Sequence, residues 1–161
     1  MRAEIITRCN EIITNDTALT GIFRVYENEY PASIQAPCVL IFPRQDSGYQ
    51  RSSGRSFLTE VQFDMHVFLA PSGTRLTAIN SIEAVTLPDL FADAFLSRPQ
   101  LQYNDNGIED VVEEIRFQIT SDLARPLQYP LGISEAPRYW GFIVRLTVPY
   151  RQVIAMKTRG V

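Results

Sequence analysis

The sequence predicts an α+β fold: a mainly antiparallel or mixed β-sheet with long central strands and helices packed on one face. Three observations lead there. Residues 56–70, SFLTEVQFDMHVFLA, alternate apolar and polar side chains without a Gly or Pro. Residues 138–150 alternate in the same way, and residues 2–14 and 74–95 carry helical spacing instead. A period of two marks a strand with one buried face, and a period near 3.6 marks an amphipathic helix.

The first alternating stretch is the organising element. Phe57, Thr59, Val61, Phe63, Met65, Val67 and Leu69 share one side, and Glu60, Gln62, Asp64 and His66 lie between them. At ~3.3 Å per residue such a strand runs about 50 Å. A single domain of 161 residues has a body only about 40 Å across. The strand therefore reaches the edge of its own domain unless it bends or bulges, and its ends are candidates for pairing with another subunit.

The remaining elements follow in order. Ile5, Ile6, Cys9, Ile12 and Ile13 form one stripe of a helix, with Arg2, Glu4, Arg8 and Glu11 largely off it. Asn15-Asp16 stops that helix. Residues 22–29 read as a short strand. Residues 37–43, PCVLIFP, form a continuous apolar run that suits a strand buried on both faces. Residues 44–55 contain no aliphatic side chain and read as a long, net basic loop between strands. Pro88 falls inside the second helical region, which predicts a helix over 74–85 and a restart near Thr86 or Leu87. A strand follows over 108–120, then an irregular crossing over 121–137 with three prolines, then the last strand over 138–150. Residues 1–150 form one domain, and residues 151–161 form a weakly patterned tail that frays.

Composition narrows the function classes. The chain is 45% hydrophobic and 20% charged, with net charge −3 and a pI near 5.2. An acidic body argues against binding nucleic acid through phosphate contacts. Fourteen of the fifteen basic residues are Arg; paired interfaces and biased codon usage both account for that. Cys9 and Cys38 fall at core positions and are expected to be free buried thiols. The start of the chain lacks the apolar core of a signal peptide, and no stretch approaches the ~20 apolar residues of a membrane helix. The expected protein is soluble and intracellular when made.

A search for chemistry finds no catalytic, cofactor or metal residue. His66 is the only histidine and has no Cys or carboxylate at ligand spacing. Neither cysteine has an evident base beside it, and no phosphate-binding or dinucleotide glycine pattern occurs. The acidic run Glu109, Asp110, Glu113, Glu114 reads as a solvated or subunit-facing surface. The candidate contact residues are Arg44, Tyr49, Arg51 and Arg55, because Arg and Tyr are enriched at interfaces.

The order of features resembles the tail-terminator and tail-completion proteins of long-tailed bacteriophages. The features are an N-terminal amphipathic helix, then Val25-Tyr26, then Pro31 and Pro37 before the apolar strand Val39–Phe42. Next come the long strand closing at Ala70-Pro71, a helix, and two strands ending at Tyr150. The resemblance covers roughly residues 3–150; the 121–137 crossing and the last eleven residues depart from it. It implies a non-enzymatic virion protein without cofactor, forming a ring, usually a hexamer, that caps the tail tube and joins it to the head connector. DNA would pass through the lumen without specific binding, and assembly would take place in the host cytoplasm. Two alternatives stay open: a tail-tube, neck or baseplate subunit, and a ligand-binding or enzymatic α+β domain.

Overall fold

The computed structural model describes residues 1–19, 24–27, 30–44, 49–53, 56–71, 81–104, 108, 110–121, 127–130 and 135–153. In chain order they form α1 (Arg2–Asn15), β1 (Arg24–Glu27), β2 (Cys38–Pro43), β3 (Tyr49–Ser53), β4 (Ser56–Pro71), α2 (Ser81–Leu96), β5 (Arg116–Ser121), β6 (Leu127–Gln128) and β7 (Arg138–Val153). The fold is α+β, as the alternation predicts.

One seven-stranded sheet runs β1-β2-β4-β7-β5, with β3 also on β4 and β6 also on β7. β1 and β2 are parallel, so the sheet is mixed; every other pair is antiparallel. β4 and β7 each span sixteen residues and pair from Ser56↔Val153 to Pro71↔Tyr139, with one bulge between Phe68 and Ala70. A bulge there adds twist and bends the long strand.

The predicted core face of β4 is buried: Thr59, Val61, Phe63, Met65 and Val67 meet Phe142, Val144, Leu146, Val148 and Tyr150 of β7. α1 covers this face with Ile5, Ile6, Cys9, Ile12 and Ile13, and α2 with Leu87, Phe91, Ala94 and Phe95. Burying a large apolar side chain contributes about 1.5–3 kcal/mol, so these two stripes hold the helices to the sheet. Arg98 ties the helix ends together, donating from Nη1 to Asp16 Oδ2 at 3.0 Å and to the Ala94 carbonyl at 2.6 Å.

Several sequence expectations need correction. Arg8 is buried, not off the stripe: its Nε bonds Glu11 at 3.1 Å and its Nη1 donates to the Leu101 carbonyl at 2.6 Å. That bond anchors Leu101, which sits at φ 56. α2 is one continuous helix through Pro88, with no restart at Thr86; residues 74–80 lie outside the described residues. The proline removes one backbone donor, and the packed stripe offsets the loss. The strand predicted from Ile108 begins only at Arg116. Ile108, Val112 and Ile115 are all buried; a spacing of four then three cannot lie on one face of a strand. This segment instead crosses the end of β7 through a single bridge, Val112↔Tyr150. The 121–137 crossing contains β6, which pairs with the start of β7. At the other end, β7 runs three residues past Tyr150, so the expected tail begins as strand. Residues 154–161 lie outside the described residues.

The far side of the sheet is only half open. A second core of Cys38, Leu40, Phe42, Phe68 and Tyr129 fills one end of it, with Tyr26, Ile34, Leu127 and Tyr139 around it. β2 is therefore buried on both faces, as its unbroken apolar run predicts.

Candidate interaction surface

The contact residues expected in one basic loop occupy different elements. The 44–55 segment is not a loop throughout, because Tyr49–Ser53 form β3 and pair with β4 at Tyr49↔Thr59, Gln50↔Leu58 and Arg51↔Phe57. The cause is the length of β4. β2 pairs with β4 only from Phe63 to Phe68, leaving the edge of Ser56–Thr59 without a partner. The preceding chain folds back onto that edge through main-chain hydrogen bonds, which require no apolar side chain. β3, the first residues of β4 and the last of β7 together make a three-stranded ribbon at one end of the sheet. Tyr49 and Arg51 stand on it two positions apart; Arg55 lies outside the described residues.

Arg44 points to the other face and is committed within the chain. Its backbone N–H donates to the Gln62 carbonyl at 2.7 Å. Its Nη1 meets Asp64 Oδ2 at 2.8 Å, and Arg145 Nε meets Asp64 Oδ1 at 3.2 Å. Asp64 thus joins the end of β2, the middle of β4 and β7. Arg116 pairs with Glu60 two same-face positions along β4, and Arg151 pairs with Glu113 at 2.6 Å. The more exposed of these, Arg116–Glu60 and Arg151–Glu113, contribute about 0–1 kcal/mol each. They set the charge pattern of the surface more than its stability. The acidic run is also split: Glu113 is half-buried and paired, Asp110 and Glu114 are exposed, and Glu109 lies outside the described residues.

The sheet ends on two strands, β1 and β5, that pair on one side only among the described residues. A single row crosses the whole helix-side face: Glu27, Ile41, Met65, Val144 and Ile119. Its outer end, Ile119, is 39% exposed. Only Phe117 beside it is half-buried, stacked on Phe95 at 6.0 Å. An apolar residue on an unpaired edge strand is a template for another chain.

Among the described residues, the two thiols do not meet a catalytic base. Cys9 and Cys38 are free and buried. Burial pushes the Cys9 thiol up to about 12, aided by Glu27, and the Cys38 thiol up to about 11. Such thiols are inert as nucleophiles. No cluster of three or more metal-ligating side chains occurs among the described residues. A groove of about 360 Å³ beside α1 is lined by Met1, Ala3, Glu4, Thr7, Arg8, Glu11 and Ile108. Its basic floor, Arg8, is engaged with Glu11 and Leu101.

No helix among the described residues is long and apolar enough to cross a membrane. No protein-family model matches this sequence, and comparison with curated proteins returns none of significant similarity.

Proposed function

We propose that this protein is a structural subunit of a bacteriophage tail, forming a closed ring that caps the tail tube and joins it to the head connector. The observation that carries the reading is the β4–β7 pair. Sixteen-residue strands matched along their length run about 50 Å, more than the core of so small a domain requires. The surplus forms the ribbon with β3, whose strand carries Tyr49 and Arg51. In this reading the ribbon meets the tube or the neighbouring subunit, and Arg44 supports its base through Asp64. The order of sequence features that resembles tail-terminator proteins supplies the link to phage tails.

A ring needs a heterologous contact, in which one surface meets a different surface of the next copy. The two ends of the sheet suit this. β5 of one subunit and β1 of the next can pair with their helix-side faces aligned, which covers Ile119 and continues the sheet from copy to copy. Ile119→Lys is the test. The residue is exposed at an edge, so the melting temperature should stay within a few degrees, as for most surface changes. The same variant should fail to form rings when examined by light scattering and electron microscopy. Normal rings from Ile119→Lys would remove β5 from the interface.

A further inference from the structure

His66 lies in the middle of β4, between Leu40 of β2 and Ile143 of β7. It is 7% exposed, and its Nδ1 has no hydrogen-bond partner. Phe42 meets the imidazole edge-on at 5.3 Å, and Phe68 lies tilted against it at 6.2 Å. Tyr30 stacks on Phe42 at 4.6 Å and is itself 73% exposed. Residues 30–37 have no helix or strand and are mostly exposed. The segment is held by the Tyr30–Phe42 stack, by half-buried Ile34 against the second core, and by the Tyr129 hydroxyl donating to the Pro31 carbonyl.

We propose that residues 30–37 are a strap over this face of the sheet that is released by acid, with His66 beneath it as the trigger. A neutral imidazole tolerates the aromatic slot. A protonated one brings a charge and a new Nδ1 donor into a place that offers it no acceptor, and a buried unpaired charge is costly. The titratable and charged groups on this face are Arg24 and Tyr26 of β1, Cys38 of β2, Glu60 and Asp64 of β4, Arg116 of β5, Arg145 and Tyr139 of β7, and Arg44, Tyr30 and Tyr129. Its anions are both already engaged: Asp64 accepts from Arg44 and Arg145, and Glu60 accepts from Arg116. The strap is the most weakly held cover of the slot, so opening it is the cheapest way to hydrate the charge.

Burial moves the His66 pKa below 6.5, and nearby Asp64 opposes this in part. The closed form is fully stable above 6.5 and loses stability as pH falls from there through the folded-state value. Opening uncovers Phe42 and Phe68, an aromatic surface that the closed molecule hides.

His66 is the only histidine in the chain, so its NMR titration reads this site alone. Amide exchange of residues 30–37, corrected for intrinsic rates, should accelerate about tenfold between about pH 8 and pH 5. Its midpoint should coincide with that of the imidazole and lie below 6.5. In His66→Phe the acceleration should vanish. The idea fails if the imidazole titrates at or above 6.5, or if the strap exchanges independently of it. Should His66→Phe not fold, the coincidence of the two midpoints in the wild type decides.

Discussion

Gly141→Ala should leave the protein unfolded or insoluble at 37 °C. Gly141 stands opposite Phe68, beside the bulge that separates Phe68 from Ala70. A β-carbon there would lie 1.9 Å from the Val67 carbonyl oxygen, 3.0 Å from its carbon and 3.3 Å from Leu127 Cδ1. The first two are backbone atoms of the central strand, which cannot rotate away as a side chain can. Relief requires β4 and β7 to separate where both cores depend on them. Overpacking ordinarily costs about 1–3 kcal/mol and sometimes more; a clash with backbone belongs at the upper end, above about 3 kcal/mol. A domain has only about 5–15 kcal/mol in total. Thermal unfolding followed by circular dichroism checks this, and a variant melting within a few degrees of the parent would show that the strands are not this close.

Phe63→Ala should cost about 3–5 kcal/mol and lower the melting temperature by roughly 10 °C or more. Phe63 is fully buried on the helix side of β4, opposite Leu146. Trp140 has the same alternating position in the sequence but a different fate. It is half-buried and pairs with Ala70 beyond the bulge, outside the fully buried set. Trp140→Ala should therefore cost clearly less than Phe63→Ala. Equal losses in calorimetry would place Trp140 in the core.

The contrast shows what could be read from residues alone. Alternation over 56–70 and 138–150 locates the two central strands and their buried face because both run uninterrupted through the core. Alternation cannot show a bulge, which inserts Leu69 as an extra residue into β4 and changes what lies opposite Trp140 while leaving the pattern of residue types intact. β3 was hidden for the opposite reason: YQRSS has almost no apolar signal, and its pairing is a main-chain matter set by the unfilled edge of β4. The stretch 108–115 misleads because its β-branched Ile108, Val111, Val112 and Ile115 imitate a strand, while the buried residues are spaced by four and three. Pro88 suggests a break that the packing of Leu87 and Phe91 overrides. The second core had a signal in Tyr26, Phe42, Phe68, Tyr129 and Tyr139. Those rings come from five separate segments, so only the topology brings them together. Of the candidate contact residues, Tyr49 and Arg51 share the ribbon, whereas Arg44 is held on the opposite face by a carboxylate two strands of sequence away.

Assembly into a closed ring, as proposed, is visible by electron microscopy of the purified wild-type protein at high concentration. Single rings of constant subunit number that do not stack into longer objects are expected. Open-ended tubes would identify a tube subunit instead, and a monomer at every concentration would contradict the ring.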